Sequence, residues 1–233
     1  MWICTNNGIG VFDGTAWINY NTSNSLLKTN SINVVRFDQS GIAWIGTQIN
    51  LVRFDGINWR NYDYSSSDVD YLSVTDIAIS NSNNIWLATG NSGLVKFDGD
   101  NSYTVYKVGS YNILNNSIAS LGFEQNGNLW ILNKSGSGYR GGVTLLEGEE
   151  FFPYPFGEST FLPRAIFIDN NDKKWIATNE GILTITGTEG FNLMNGSNSG
   201  LTSTNLFQIA KEEDGTVWIA AYGGGLIKYK GER

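Results

Sequence analysis

The sequence contains no histidine and only one cysteine, Cys4. Without histidine, neither a Ser-His-Asp triad nor a Cys-His pair can form, so most hydrolytic mechanisms are excluded. With no histidine and one cysteine, the chain also lacks the side chains that usually bind zinc. A single cysteine cannot form an intrachain disulfide, and we expect Cys4 to be a buried, inert thiol. These absences predict a protein that is not an enzyme and that has no cofactor and no metal site.

Positive charge and long apolar runs are also scarce. Fifteen basic residues against 22 acidic ones give a net charge of −7, which argues against nucleic acid or an anionic membrane surface as a partner. No run approaches the roughly 18 apolar residues of a membrane span, and no signal sequence is evident at the N-terminus. Because the chain is rich in Asn, Ser, Thr, Gly and Tyr, we predict an exported bacterial protein located in the periplasm, at the cell surface or in the medium.

Tryptophan is the residue that recurs regularly. Six tryptophans stand 42 to 45 residues apart, each in a short apolar run. They are Trp2, Trp44, Trp86, Trp130, Trp175 and Trp218. A period of 40 to 50 residues made only of short strands and turns is typical of β-propeller blades. We therefore predict that residues 1–233 form a single all-β domain of about six four-stranded blades, in which these tryptophans pack structurally rather than bind ligand.

The turn before each tryptophan strand has a repeated chemistry. Most of the residues six positions before the tryptophan can accept hydrogen bonds from turn amides, as Asp38 and Asp169 can, and the residues three positions before it tolerate positive φ. The segment 169–173 superficially resembles a calcium loop, but Lys173 stands where an oxygen ligand belongs and no closing glutamate follows. We therefore predict a plain turn there.

The motifs of one unit, Leu27-Lys-Thr-Asn-Ser-Ile32, Asp38-Gln-Ser-Gly41, Trp44-Ile-Gly-Thr47 and Leu51-Val-Arg-Phe-Asp-Gly56, resemble the two-component regulator propeller repeats that are abundant in Bacteroidota. All six units match part of this pattern. The resemblance implies an extracytoplasmic β-propeller of the kind found in sensors of glycan fragments and in surface proteins, including parts of the type IX secretion apparatus. The immunoglobulin-like domain, membrane helix and kinase usual in the sensors are not found in these 233 residues.

The first and last units are incomplete. The first begins at its tryptophan strand, and the last stops after the strand at Leu226 to Tyr229, so only four units are complete. The chain is therefore either a six-bladed ring with two trimmed blades or part of a larger propeller. Because exposed sheet edges invite pairing with other chains, we expect oligomers or a larger assembly to form through the incomplete blades.

Candidate ligand-binding residues lie where the repeats differ, in the turns after the tryptophan strands. The largest deviation is the loop 134–142, with Tyr139 and Arg140 near its tip. The corresponding turns of other units supply Gln48, Asn50, Asn91, Glu180 and Tyr222. Tyrosine, arginine and amide side chains suit recognition of a carbohydrate or a peptide.

The leading hypothesis is a non-catalytic binding module that senses or binds a glycan fragment or a protein partner through one face. The alternative is a structural component of a bacterial surface or type IX secretion complex. An enzyme would need paired carboxylates, for which the acids in or near loops are Asp68, Asp70, Glu147, Glu149, Glu150 and Glu158. Solvated surface side chains are the better interpretation of these acids.

Overall fold

The computed structural model describes residues 1–62, 72–99, 102–135, 141–156, 161–187, 190–212 and 214–229, and every helix-or-strand element in this part of the chain is a β-strand. The strands form six antiparallel sheets, each built from strands that are consecutive in sequence. Four sheets have four strands, and the first and last have three. These sheets are the blades of a six-bladed β-propeller, which confirms the predicted fold class and the incomplete first and last blades.

The chain divides into two compact units, Met1–Tyr111 with Asn116–Ile118 and Asn112–Asn115 with Ala119–Arg233. The first unit contains blades one to three. Its strands are β1 (Trp2–Thr5), β2 (Gly8–Phe12), β3 (Trp17–Tyr20), β4 (Ile32–Phe37), β5 (Ala43–Thr47), β6 (Leu51–Phe54), β7 (Trp59–Tyr62), β8 (Val74–Ile79), β9 (Ile85–Thr89), β10 (Leu94–Gly99) and β11 (Ser102–Tyr106).

The second unit contains blades four to six, counting with it β12, most of whose residues belong there. Its strands are β12 (Ile118–Phe123), β13 (Leu129–Asn133), β14 (Gly142–Glu147), β15 (Glu150–Pro155), β16 (Ala165–Ile168), β17 (Lys174–Ala177), β18 (Ile182–Ile185), β19 (Asn192–Met194), β20 (Leu206–Lys211), β21 (Val217–Ala221) and β22 (Gly225–Tyr229).

The tryptophan strands of blades two, four and five are buried along their whole length. Every residue of β5, β13 and β17 is buried, as expected for strands in sheets that pack face to face. In the first unit the contact is closest at Gly46 of β5, where a Cβ would come within 2.5 Å of the Val74 side chain in β8. A larger residue at Gly46 would therefore push blades two and three apart.

The repeated tryptophans differ in exposure. Trp44, Trp130 and Trp175 are buried and belong to apolar clusters that join neighbouring blades of the same unit. Trp2, Trp86 and Trp218 are half-buried. In the first blade Cys4 is half-buried too, and burial raises the pKa of its thiol, which disfavours the reactive thiolate.

The turn before each tryptophan strand has the predicted backbone. The residue three positions before the tryptophan has positive φ in all five of these turns, and it is a glycine except at Asn83 (φ 60°) and Asp172 (φ 55°). Asp38 Oδ1 accepts hydrogen bonds from the amides of Ser40 and Ile42. Asp169 Oδ1 does the same for the amides of Asn171 and Lys173.

The acid of the turn also binds the tryptophan that follows it, a contact that the sequence did not reveal. Trp44 Nε1 donates to Asp38 Oδ2 (3.0 Å), and Trp175 Nε1 donates to Asp169 Oδ2 (3.1 Å). One carboxylate thus orders the turn with one oxygen and fixes the indole with the other. We call the 38–44 and 169–175 arrangements acid turns.

Helices long and apolar enough to cross a membrane are not found among the described residues.

Candidate functional site

The predicted binding residues fall in different places. Tyr139 and Arg140 lie outside the described residues. Gln48 and Asn91 are exposed in the turns that follow β5 and β9 of the first unit. Tyr222, in the turn between β21 and β22, is 71% exposed.

Asn50 is buried, with only 1% of its surface exposed. Its Oδ1 accepts a hydrogen bond from Thr47 Oγ1 (2.7 Å), and its Nδ2 donates to Asn61 Oδ1 (2.6 Å). Asn61 in turn donates to the carbonyl of Leu26 (2.7 Å). Both ends of the Asn50 amide are therefore bonded within the protein, one inside its own turn and the other, through Asn61, to the segment that joins blades one and two.

The candidate site lies in the second unit, where three exposed or half-exposed side chains meet. The guanidinium carbon of Arg164 stands 4.0 Å from the ring centroid of Phe207, and the Phe207 and Tyr222 rings are 6.1 Å apart. Phe207 is 47% exposed. We call Arg164, Phe207 and Tyr222 the aromatic platform.

A β-bulge presents Phe207 to solvent. The pairing of β20 with β21 shifts register between Leu206 and Gln208, which leaves Phe207 unpaired and turns its side chain away from the sheet. The same irregularity occurs at Asn33 in blade two, where β4 pairs with β5. The bulge therefore belongs to the repeat, and blade six places an aromatic side chain at it.

Arg164 is held by the blade that follows its own. Its guanidinium donates to the carbonyl of Leu206 (3.0 Å), just as Asn33 Nδ2 in the first unit donates to the carbonyl of Val74 (2.7 Å). One donor group is committed to that carbonyl while the guanidinium carbon stands over the Phe207 ring, and other N–H groups of the guanidinium remain for a ligand.

The turn that carries Glu180 adjoins the platform. The Thr178 carbonyl accepts a hydrogen bond from the amide of Leu206 (2.8 Å). Asn179 Oδ1 accepts one from the amide of Leu162 (2.7 Å), and Leu162 is 47% exposed. Of the predicted residues, the structure thus places Glu180 and Tyr222 on loops that border the same platform.

Two platform residues, Arg164 and Phe207, were not predicted, because the predicted binding residues all lie in turns after the tryptophan strands. Both lie instead at the start of a blade's first strand. The sequence feature that could have indicated Phe207 is a change of residue type at the bulge position. This position is Asn33 in blade two and Phe207 in blade six.

The opposite ends of the β16 and β20 strands border a polar cavity of about 480 Å³. It is lined by Phe167, Asp169, Asn170, Asn171, Lys211, Glu212, Asp214 and Gly215. Asp169 Oδ2 accepts hydrogen bonds from Lys211 Nζ (2.6 Å) and from the Trp175 indole. Burial acts to raise the pKa of Asp169, but the bonds from Lys211, Trp175 and two turn amides lower it to about 2.

This cavity lies at a position where neighbouring blades are elsewhere joined by hydrogen bonds of a glutamine in the turn before the tryptophan strand. Between blades four and five, Gln125 Nε2 donates to the Asn170 carbonyl and the Gln125 amide donates to Asp172 Oδ1 (2.9 Å). The corresponding positions between blades five and six are Asn170, which is shorter, and Gly215, which has no side chain. The cavity can hold water or a small polar molecule, and the segment 169–173 is a turn whose carboxylate is already occupied by protein donors.

The acidic residues that a metal site or a carboxylate pair would need are scattered in the described part of the chain. No group of three or more His, Cys, Asp or Glu side chains there is placed to hold a metal ion. Glu147, Glu149 and Glu150 are exposed at one hairpin, whereas Asp68, Asp70 and Glu158 lie outside the described residues.

No protein-family model matches the sequence, and no curated protein matches it. Solved structures do match. The extracellular domain of a hybrid two-component system from B. thetaiotaomicron superposes with a TM-score of 0.80 at 19% identity, over 98% of this chain and 32% of that one. The chain thus spans about a third of the length of that extracellular domain.

Two further structures extend the comparison. PorZ, a bacterial surface component of the type IX secretion system of Porphyromonas gingivalis, matches with a TM-score of 0.73 at 18% identity, over 98% of this chain and 36% of that one. A virginiamycin B lyase from Staphylococcus aureus, inactivated by replacement of a histidine with alanine, matches with a TM-score of 0.77 at 14% identity, over 97% and 75% of the two chains. At these identities the likeness shows the fold, which both enzymes and extracellular modules use. Membership of the two-component regulator propeller family stays a prediction.

Proposed function

We propose that this chain is a non-catalytic, extracytoplasmic propeller module that binds a glycan or a protein partner through the aromatic platform. The observation that carries the proposal is the exposure of Phe207 and Tyr222 beside a guanidinium that lies on the Phe207 ring. Tyrosine, phenylalanine and arginine are among the residues enriched at protein interfaces, because the aromatic rings bury a large area and the guanidinium offers several hydrogen-bond donors.

The chemistry of the platform suits two kinds of ligand. An exposed aromatic face can stack on the apolar face of a sugar ring or on an aromatic side chain of a peptide. The N–H groups of Arg164 can donate to hydroxyl or carboxylate oxygens of either. A polyanionic nucleic acid fits poorly, since the whole chain carries a net charge of −7.

The absence of histidine supports a non-catalytic role. The lyase with the same fold is inactivated when one histidine is replaced by alanine, and this chain has no histidine with which to perform the equivalent chemistry. An extracytoplasmic location agrees with the similarity to the extracellular domain of a hybrid two-component system and to a bacterial surface component.

The similarity to PorZ favours a second candidate, a structural role in a surface or secretion assembly. In that case the preferred ligand would be a protein of the same assembly rather than a glycan. The two candidates predict different hits in one screen.

The test is a screen of the purified chain against a glycan array and against a bacterial outer-membrane protein fraction. The Phe207→Ser/Tyr222→Ala double variant should lose at least about tenfold in affinity for the strongest hit. Ile57→Ser removes an exposed side chain (85% exposed) in a turn of the first unit and serves as the matched control, with binding unchanged. Hits confined to protein would favour the assembly role, and a hit that binds the double variant normally would refute the platform as the site.

A further inference from the structure

Three departures from the repeat meet at the polar cavity beside β16 and β20. The first is Lys211, whereas in blades two to five the residue seven positions before the repeated tryptophan is apolar: Phe37, Ile79, Phe123 and Ile168. The other two are Asn170 and Gly215, which stand where bridged turns have a glutamine and an Asn or Asp. Because Lys211, Asn170 and Gly215 all line the cavity, the departures shape one site.

The bridged turns show which groups are missing from this cavity. Between blades four and five, Gln125 Nε2 donates to the carbonyl of Asn170, and Asp172 Oδ1 accepts from the Gln125 amide (2.9 Å). Gln39 makes the two equivalent bonds between blades two and three (2.9 and 3.5 Å). A bridge thus consists of a side-chain N–H donor and a side-chain oxygen acceptor at the junction of two blades.

At the cavity both parts of the bridge are reduced. Asn170 is one methylene shorter than glutamine, and Gly215 has no side chain. The amide N–H of Asn170 accordingly has no hydrogen-bond partner among the described residues. A Cβ at Gly215 would meet no atom within 4 Å, so the space is open. A ligand that fits this space should supply an N–H donor and an oxygen acceptor of its own.

The charged groups of the cavity favour a ligand that carries both signs of charge. Asp169 and Lys211 form an ion pair (2.6 Å), so their charges offset each other. Glu212 and Asp214 add negative charge to the lining, which attracts an ammonium group. The Lys211 ammonium has three N–H donors, of which one is bonded to Asp169, so it can also donate to a carboxylate.

The protein already holds these charged groups in place. Glu212 Oε1 accepts a hydrogen bond from the Trp218 indole (2.8 Å), and Asp214 Oδ1 accepts one from the amide of Thr216 (2.8 Å). Lys211 is held by its bond to Asp169. A ligand therefore does not have to order these side chains, which lowers the entropy cost of binding.

We propose that this cavity binds a free α-amino acid. The carboxylate of the amino acid accepts from the Asn170 amide and from Lys211, in the role that Asp172 has between blades four and five. Its ammonium group donates to Glu212. The cavity of about 480 Å³ lies within the roughly 300–1,000 Å³ of small-molecule sites. This site lies at the opposite end of β16 and β20 from the aromatic platform and does not depend on the function proposed for that platform.

The test begins with a thermal unfolding screen of the chain against each common L-amino acid at about 10 mM, because a ligand that binds only the folded state raises the unfolding midpoint. We expect at least one amino acid to raise it. Calorimetric titration then compares that amino acid with its α-amide, which lacks the carboxylate, and with its N-acetyl derivative, which lacks the ammonium group. Each derivative should bind at least about tenfold more weakly.

Two variants locate the binding in the cavity. Asn170→Gln/Gly215→Asp rebuilds the bridge found between blades four and five, fills the cavity and should weaken binding at least about tenfold. Gly41→Asp is the matched control, because it makes the same substitution at the same turn position of blade two, and a Cβ there also meets nothing within 4 Å. Lys211→Met leaves the turn backbone unchanged and should also weaken binding at least about tenfold.

Four outcomes would each overturn the proposal. They are no rise in the unfolding midpoint with any amino acid, equal binding of either derivative, full binding by Asn170→Gln/Gly215→Asp, and full binding by Lys211→Met. Phe207→Ser should bind the amino acid as the wild-type chain does. Loss of binding in Phe207→Ser would place the amino acid on the aromatic platform and would also overturn the proposal.

Discussion

The two ends of the strands in the second unit differ in how their polar groups are used. At the acid-turn end, both carboxylate oxygens of Asp169 accept hydrogen bonds from the protein. The donors are two turn amides, the Trp175 indole and Lys211. At the platform end, Phe207 and Tyr222 face solvent, and the Arg164 guanidinium rests on an exposed ring. The acid that recurs in these turns forms hydrogen bonds within the protein. The side chains that depart from the repeat are exposed and can contact a ligand.

Two neighbouring tryptophans differ in the hydrogen bonding of their indole N–H groups. Trp175 has its acid partner, but Trp130 Nε1 is buried without a hydrogen-bond partner among the described residues. Glu124, which stands six residues before Trp130, pairs instead with Lys174, whose Nζ lies 4.4 Å from the Trp130 ring centroid. The ion pair and the cation–π contact thus replace the acid–indole bond at this blade.

The largest effect should come from removing a buried tryptophan. Trp175→Ala should cost about 3–5 kcal/mol in the free energy of unfolding, because it opens a cavity at the contact between blades five and six and leaves the Asp169 carboxylate short of a donor. Urea denaturation measures this cost. Trp218→Ala, at a half-buried position, is the control and should cost clearly less; equal costs would contradict the packing account.

The next effect concerns the buried ion pair. Lys174→Met should destabilise the protein by about 2–4 kcal/mol because it leaves Glu124 without its cation. Lys211→Met should cost about 1 kcal/mol, since the Lys211 side chain is 21% exposed against 2% for Lys174. Adding Glu124→Gln to Lys174→Met should recover much of the loss, and a double variant no more stable than the single one would show that the lysine acts only by packing.

Acid should weaken the acid turn selectively. The pKa of Asp169 is about 2 in the folded protein against an ordinary value of 3.8, so its contribution is present above about pH 4 and is lost as the pH falls towards 2. We expect this component to be about 1 kcal/mol, because part of the interaction is screened by solvent. Asp169→Asn should show a shallower decline of the urea midpoint between pH 4 and pH 2, and an identical pH profile in the two proteins would contradict the assignment.

The smallest effect on stability should come from the platform. Phe207→Ser and Tyr222→Ala should each change the free energy of unfolding by less than about 0.5 kcal/mol, because Tyr222 is largely exposed and Phe207 is about half exposed. Thermal unfolding of the two variants beside Ile57→Ser provides the comparison. A loss above about 2 kcal/mol would mean that the platform is part of the core.

The repeat pattern predicted most of the fold because its signals are local. The tryptophan period located the blades, and Asp38 with Gly41 located a turn whose geometry follows from side-chain hydrogen bonding and positive φ. The incomplete blades also followed from counting strands. Burial of Trp44 but not of Trp86 did not follow, because exposure depends on how neighbouring blades pack.

The candidate site was predicted only in part. Tyr222 and the Glu180 turn could be found as deviations from the repeat, but Arg164 and Phe207 come together only when two blades are placed side by side. Asn50 shows the opposite difficulty, since a turn amide that looks available in sequence is enclosed by Thr47 and Asn61. The Arg164–Phe207 contact joins residues more than 40 positions apart and therefore carries no local sequence signal.

The central claim is that the aromatic platform is the binding surface and is independent of the fold's stability. Calorimetric titration of the strongest array hit into the wild-type chain and into Phe207→Ser/Tyr222→Ala tests it most directly, with the urea midpoint of each protein measured on the same sample. We predict a dissociation constant raised at least about tenfold in the variant with an unchanged midpoint. A dissociation constant within about twofold of wild type at an unchanged midpoint would contradict the claim.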